Sequence, residues 1–87
     1  MPKKDYPELQ KKFGEIVQKL RNERKMSLRE MASKCNLDDS QISKIENGRS
    51  NIQLSTLIEL ANVFEIKPSA MLKYLDETAE LRAGKSD

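Results

Sequence analysis

Residues 26–50 of this chain read MSLREMASKCNLDDSQISKIENGRS, and two helix starts can be recognised within them. Ser27 with Glu30, and Asp38 with Gln41, have the spacing of a capping box, in which each side chain accepts a hydrogen bond from the other residue's backbone N–H. The two helices are short, and a turn of three to four residues separates them. This spacing predicts a helix-turn-helix unit.

Three more helices are predicted around this unit, because apolar residues recur at helical spacing and no segment alternates as a strand does. They cover about residues 8–24, 53–64 and 68–81. Their buried stripes are expected to include Phe13, Ile16, Val17 and Leu20 in the first and Leu54, Leu57, Leu60, Ala61 and Phe64 in the fourth helix. The sequence therefore predicts an all-α bundle of five helices, with an N-terminal arm over residues 1–7, one domain over 8–81 and a flexible tail over 82–87.

Composition restricts the chemistry that this chain can perform. It has 87 residues, of which 37% are hydrophobic, no histidine and a single cysteine, Cys35. An internal disulfide is excluded, no metal, cofactor or small-molecule ligand is expected, and Cys35 is interpreted as a small buried side chain. No catalytic motif is present, so we do not expect an enzyme. No apolar stretch resembles a signal peptide or a membrane span, and a reducing cytoplasm is the expected location.

The net charge is only +2, but the charges are unevenly distributed. Residues 1–35 contain ten Lys and Arg against five Asp and Glu, whereas residues 55–87 contain four against six. A basic first third indicates a face for a polyanion, and an acidic last third indicates a different role for the other end of the chain.

The outward face of the second helix in the unit is polar, while Ile42 and Ile45 anchor its opposite face. Such a helix can read base edges in the major groove of DNA while its surroundings contact phosphates. The candidate DNA contacts are Ser27, Arg29, Asp39, Ser40, Gln41, Ser43, Lys44, Asn47, Arg49 and Asn51. Lys44 is interpreted as a contact to guanine or to a phosphate. Asp39 either accepts from a cytosine amine or is an acid that favours the helix dipole and weakens non-specific binding.

The unit and its flanking helices closely resemble the XRE family of phage-type repressors, also called the Cro/C1 family. The resemblance covers about residues 10–75 and rests on Gly14, Leu20-Arg21, Ala32, Leu37, Ile42-Ser43, Ile45-Glu46, Asn47-Gly48-Arg49, Leu54, Thr56-Leu57, Leu60-Ala61 and Ile66. It implies a lambda-repressor-like bundle that binds double-stranded DNA as a transcriptional regulator, a repressor by expectation, and acts as a homodimer on a palindromic operator. It also implies a structural ion pair between Arg21 and Glu46.

Two positions depart from the family pattern. Leu28 stands where the family commonly has glutamine, which removes a side chain that often contacts phosphate, although backbone N–H groups can still serve there. Asn36 stands where the turn usually has glycine. Because asparagine is the next best residue at positive φ, we expect the turn to keep the family geometry.

Self-association is expected through the fifth helix, with support from the fourth. Met71, Tyr74 and Leu75 are the candidate interface residues, because the fifth helix carries more apolar surface than one packed stripe requires. The alternative is an antitoxin or a protein-interaction module that keeps the fold but binds DNA weakly or not at all. Within the regulator class, the sequence does not choose among a phage repressor, a restriction–modification controller and an antitoxin.

Overall fold

Five α-helices and no strand make up residues 6–76, the part of the chain that the structure, a computed structural model, describes. The helices are α1 (Pro7–Glu23), α2 (Leu28–Ser33), α3 (Asp39–Glu46), α4 (Leu54–Phe64) and α5 (Pro68–Asp76). The all-α prediction is confirmed, and α2 and α3 form the predicted unit. Residues 1–5 of the arm, the predicted extension of the fifth helix to Leu81 and the tail over 82–87 lie outside the described residues.

Local side chains determine where α2 and α3 begin. Both predicted capping boxes are present: Ser27 Oγ accepts from the backbone N–H of Glu30 at 3.0 Å, and Asp38 Oδ1 accepts from that of Gln41 at 2.8 Å. In return, the side chains of Glu30 and Gln41 accept from the backbone N–H of their cap residues at 3.0 and 2.9 Å. Each short helix therefore has a defined first residue, which fixes the direction of its outward face.

The C-termini of α1, α3 and α4 share one design, a residue in the left-handed conformation just after the helix. These residues are Lys25, Gly48 and Glu65, with φ of 56°, 73° and 59°. In each case the following N–H donates to a carbonyl oxygen in the last turn, at 2.9 to 3.1 Å. Glycine adopts this conformation without strain, whereas Lys25 and Glu65 adopt it at a cost of about 1 kcal/mol each.

The turn between α2 and α3 is built differently. No residue between Ser33 and Asp39 has a positive φ, so the expectation that Asn36 replaces a left-handed glycine is wrong. Asn36 instead donates to both carboxylate oxygens of Glu59 on α4: its backbone N–H to Oε1 at 3.3 Å and its side-chain Nδ2 to Oε2 at 2.9 Å. A side chain from outside the two helices therefore holds this turn.

The core draws on all five helices, and α1 packs against α3, α4 and α5. Its buried apolar side chains are Phe13, Val17, Leu20, Met31, Ile42, Ile45, Leu57, Leu60, Ala61, Phe64 and Met71. The prediction that Leu54 belongs to the buried stripe of α4 is wrong, since 75% of its surface is exposed. Leu54 is the first residue of α4, one turn before the buried Leu57. None of the helices over residues 6–76 is long and apolar enough to cross a membrane.

Gly14 lies where α1 crosses the C-terminal end of α3. A Cβ atom at this position would stand 2.7 Å from the carbonyl oxygen of Glu46 and would overlap the carbonyl oxygen of Ile45. Both neighbours are backbone atoms that no rotamer change can move. The close approach of the two helices therefore requires glycine here.

Candidate nucleic-acid interface

A salt bridge fixes the C-terminal end of α3 against α1. Arg21 donates from Nε and Nη2 to the two carboxylate oxygens of Glu46, at 2.6 and 3.0 Å, and from Nη1 to the carbonyl oxygen of Met26 at 2.8 Å. The side chains of Arg21 and Glu46 are 13% and 5% exposed, and the hydrogen bond to Glu46 raises the pKa of Arg21. The expected ion pair thus has the two-point geometry that makes arginine–carboxylate contacts strong.

At the N-terminal end of α3, Asp38 is engaged in capping. Its Oδ1 accepts from the backbone N–H of Gln41 and from the hydroxyl of Ser40 at 2.9 Å, and these two bonds hold the pKa of Asp38 below its usual range. The carboxylate therefore serves the start of the helix, as its cap position predicts. The hydroxyl proton of Ser40 is committed to Asp38, so Ser40 can offer DNA its oxygen as an acceptor.

Asp39 and Lys44 are the charged groups that α3 presents to a ligand. Both are exposed, and neither has a hydrogen-bond or salt-bridge partner within residues 6–76. At the end of the helix, Asn47 donates from Nδ2 to the carbonyl oxygen of Ser43 at 2.9 Å, which leaves the Asn47 side-chain oxygen as an acceptor. The outer face therefore presents an acid at its start, an ammonium group in its middle and an amide oxygen at its end.

A polar groove of about 340 Å³ runs beside this face, between α3 and the start of α4. It brings together three of the predicted contacts, Gln41, Lys44 and Asn51. Its wall also contains polar residues that were not predicted, namely Ser50, Gln53 and Thr56. Their signal in the sequence is weak, because they are ordinary residues around a helix start that has no side-chain cap.

The remaining predicted contacts surround α3 without lining this groove. Ser27 and Arg29 are exposed at the start of α2, and Arg49 is exposed just after α3. Leu28 is half-buried against the core, which agrees with its departure from a phosphate-binding glutamine.

Residues 6–76 contain no group of three or more His, Cys, Asp or Glu side chains that could hold a metal ion. Cys35 is half-buried, and its thiol donates to the carbonyl oxygen of Met31 at 3.5 Å.

A second groove, of about 300 Å³, is mostly apolar and lies between the start of α1, the start of α4 and α5. Three leucines that line it are exposed to solvent: 75% of the surface of Leu54, 48% of that of Leu72 and 37% of that of Leu9 is accessible. Leu75 also lines it. Met71 is completely buried within the chain, so it has no surface to offer a second copy, contrary to its assignment as an interface residue. Tyr74 lies on the other side of α5, in a cleft with Ile16 and Lys19 of α1.

The arrangement of α2 and α3 inside a five-helix bundle defines a helix-turn-helix protein, and comparison with known proteins shows its family. The sequence pattern of the HTH_3 family, described as helix-turn-helix, matches residues 17–71. That span contains all of α2, α3 and α4. The chain belongs to this family, whose members are the XRE-type helix-turn-helix proteins.

Two relatives by sequence are named as repressors. The HTH-type transcriptional repressor RghR of Bacillus subtilis is 32% identical over 75 residues, which are 82% of this chain and 56% of that protein. The immunity repressor protein of Bacillus phage phi105 is 37% identical over 59 residues, which are 68% of this chain and 41% of that protein. The chain thus spans about half the length of these relatives.

Several solved structures share the fold. The restriction-modification controller protein C.AhdI from Aeromonas hydrophila has a TM-score of 0.73 at 28% identity, covering 78% of this chain and 99% of its own. C.Esp1396I, solved as a tetramer with its natural 35 base-pair operator, has a TM-score of 0.73 at 28% identity, covering 79% and 91%. The clp gene regulator ClgR from Corynebacterium glutamicum matches with a TM-score of 0.76 over 87% and 99% of the two chains, and at 20% identity it shows the fold alone.

Proposed function

We propose that this chain is a sequence-specific regulator of transcription, a repressor, that inserts α3 into the major groove of double-stranded DNA. The observation that supports this most directly is the rigid outer face of α3. Asp39 and Lys44 have no hydrogen-bond or salt-bridge partner within residues 6–76, while the capping box and the Arg21–Glu46 pair hold the helix behind them. A helix held in this way loses little conformational entropy when it binds, which favours affinity.

Phosphate contacts in this proposal come from the surroundings of α3. Arg29 at the start of α2 and Arg49 just after α3 supply exposed guanidinium groups, and Asn51 supplies an amide beside the polar groove. Contacts of this kind set the register of a protein on the duplex, whereas base contacts supply the specificity. The proposed compartment is the cytoplasm, where the DNA of a bacterium or phage is found.

The second candidate is an antitoxin or interaction module that has kept the fold and lost DNA binding. It is supported by the two acids at the start of α3, because phosphates repel negative charge. Asp38 is accounted for by its capping bonds, so this alternative is supported by Asp39 and by Leu28, which stands in place of a phosphate-contacting glutamine. Relatives named as repressors favour the regulator.

Selection from a pool of random DNA duplexes tests the regulator against the interaction module. We expect one enriched sequence, bound at least about a thousandfold more tightly than a scrambled duplex of the same length. The logarithm of the binding constant should fall linearly with the logarithm of the salt concentration, because neutralised phosphates release counterions. A chain that enriches no sequence and shows no salt-dependent binding would contradict the regulator and favour the interaction module.

We further propose that a second copy of this chain covers the apolar groove beside α5, so that the protein binds a palindromic operator as a homodimer. Exposed leucines at the start of α4 and on α5 support this, because a contiguous exposed apolar patch often marks an interaction site. To fit a palindromic operator, the two-fold axis must place the two copies of α3 about 34–36 Å apart, one turn of DNA. A single half-site offers too few base contacts for high specificity.

Sedimentation of matched variants tests the dimer. Leu54→Glu combined with Leu72→Glu places two charges in the groove and should give a monomer, with circular dichroism showing that the helices remain. Tyr74→Glu is the control, because Tyr74 lies on the opposite side of α5 and should leave the dimer intact. If Tyr74→Glu gave the monomer instead, the interface would lie between α1 and α5. A wild-type chain that is monomeric at tens of micromolar would contradict the proposal.

A further inference from the structure

The turn that joins α2 to α3 is not closed by a left-handed residue. Wherever α1, α3 and α4 end, a left-handed residue and a backbone hydrogen bond back to the helix fix the path of the chain. The segment between Ser33 and Asp39 has no residue with a positive φ. The backbone N–H groups of Lys34 and Cys35 donate back to α2 at 3.0 and 3.3 Å, and the backbone N–H groups from Asn36 to Asp38 donate to neither helix backbone. The direction in which α3 leaves α2 is therefore not determined by the backbone of the turn alone.

Glu59 of α4 holds the part of the turn that lies beyond Cys35. Its two carboxylate oxygens accept from two donors of the same residue, the backbone N–H of Asn36 at 3.3 Å and the Asn36 side-chain amide at 2.9 Å. Glu59 is half-buried and sits in the middle of α4, between Ile58 and the fully buried Leu60. A two-point contact fixes both the position and the orientation of the turn, and the ionised acceptor strengthens both bonds.

We propose that Glu59 is a positioning residue for the proposed reading of DNA: by clamping Asn36, it sets where the N-terminal half of α3 stands relative to the bases. This inference rests on the proposed function of the chain. Asn36 lies two residues before the cap of α3 and three before Asp39, so a shift of the turn moves that end of the helix first. The C-terminal end of α3 has its own lock in the Arg21–Glu46 pair.

The recognition helix is then held at each end by one carboxylate, and each carboxylate crosses to a different helix. Glu46 joins the end of α3 to α1, and Glu59 joins the turn before α3 to α4. Loss of the second lock should leave the buried anchors Ile42 and Ile45 in place and loosen only the N-terminal half. The expected defect is therefore in selectivity at particular base pairs, with the fold retained.

Glu59→Asp is the sharpest variant, because it keeps the charge and withdraws the carboxylate by one methylene. Glu23→Asp is its control, an exposed glutamate on α1 with no hydrogen-bond partner within residues 6–76. Glu59→Gln keeps the length but only one acceptor oxygen and no charge, so its exchange at Asn36 should fall between those of wild type and Glu59→Asp. Amide hydrogen exchange without DNA reports on the clamp itself. In Glu59→Asp, exchange at Asn36 should be roughly threefold to tenfold faster than in wild type, with unchanged exchange at Leu60.

A second measurement tests base-pair selectivity. It compares the affinity for the duplex that the wild type selects with the affinities for duplexes that each carry one base-pair substitution. Glu59→Asp should lose roughly threefold to tenfold of its preference, at the same base pairs whose preference changes in Asp39→Ala, and keep the preference that depends on Lys44. The salt dependence should stay as in wild type, since no phosphate contact is removed.

Unchanged exchange at Asn36 would overturn the clamp. If exchange at Asn36 became faster but the affinity fell equally for every duplex, or did not fall for any duplex, the positioning role would be overturned. A wild type that selects no duplex would instead refute the proposed function, and with it the DNA role of Glu59, while the exchange data would still show whether the clamp exists.

Discussion

Arg21 and Glu46, 25 residues apart in the chain, form a two-point salt bridge that joins α1 to the end of α3. Arg21 also donates to the carbonyl oxygen of Met26, in the connection between α1 and α2. One guanidinium group on α1 therefore contacts both the connection after α1 and the end of α3, and the Glu46 side chain that balances its charge is 5% exposed.

Replacement of Glu46 should destabilise the chain strongly. Glu46→Ala leaves the largely buried guanidinium of Arg21 without its counter-charge, and we expect the free energy of unfolding to fall by about 2–3 kcal/mol. Urea denaturation followed by circular dichroism measures the change. Glu23→Ala, at an exposed position on α1, is the matched control and should shift the free energy by less than about 0.5 kcal/mol. Equal effects of the two substitutions would show that the pair contributes nothing.

Gly14→Ala should be as damaging, for a steric reason. The added methyl group would overlap the backbone of α3 at Ile45 and Glu46, and the two helices would have to separate. Overpacking of this kind costs about 1–3 kcal/mol, although alanine is the better helix former. Thermal unfolding compares it with Gln18→Ala, which adds no bulk at an exposed position of the same helix. A Gly14→Ala variant that melted above wild type would contradict the close crossing.

Asp38 should make stability depend on pH in the acid range. Its pKa in the folded chain is lowered, mainly by the backbone N–H of Gln41 and then by the Ser40 hydroxyl, so the folded state binds fewer protons than the unfolded state. The stabilisation is complete above the ordinary carboxyl pKa of about 4 and is lost as the pH falls through the lowered value. Asp38→Asn keeps a good cap without the titration.

Melting temperatures of wild type and Asp38→Asn, measured from pH 7 down to about pH 2, provide the check. The advantage of the wild type over the variant should shrink with acidification below about pH 4. If the melting temperatures of the two proteins differed by the same amount at every pH in this range, the capping carboxylate would not contribute to the loss of stability in acid.

Lys44→Ala should weaken binding to the selected duplex and relax the preference at one base pair per half-site. The expected loss is about 1–3 kcal/mol, because Lys44 stands in the middle of the outer face with no hydrogen-bond or salt-bridge partner within residues 6–76. Lys67→Ala removes the same charge between α4 and α5 and serves as the control. Fluorescence anisotropy on the selected and substituted duplexes measures both. If Lys44→Ala weakened all duplexes equally and lowered the salt slope by about one, Lys44 would be a phosphate contact.

Sequence reasoning succeeded where the interaction is local. A capping box links residues three apart, so Ser27 with Glu30 and Asp38 with Gln41 could be predicted from spacing alone. The left-handed conformation of Gly48 is also a local feature, since glycine just after the last turn of a helix commonly adopts it.

It failed where the outcome depends on how far a neighbouring helix extends. A helical stripe shows which residues share a face, but not where the partner surface stops, so Leu54 was placed inside and Met71 on an interface, and both assignments are reversed in the structure. The Asn36–Glu59 contact joins residues 23 apart, on a turn and a helix that no local pattern relates. Because this contact could not be predicted, the sequence suggested a positive φ at Asn36 that the structure does not have.

The left-handed conformations of Lys25 and Glu65 mark two positions at which a single substitution should stabilise the protein. Glycine at either position would relieve strain and should raise the free energy of unfolding by about 0.5–1 kcal/mol. Glu65→Gly is the better choice, because it lies after α4 and outside the polar groove beside α3. A chain with this substitution offsets part of the loss of stability in Glu46→Ala and Gly14→Ala, so that a larger fraction of each variant is folded when its DNA binding is assayed.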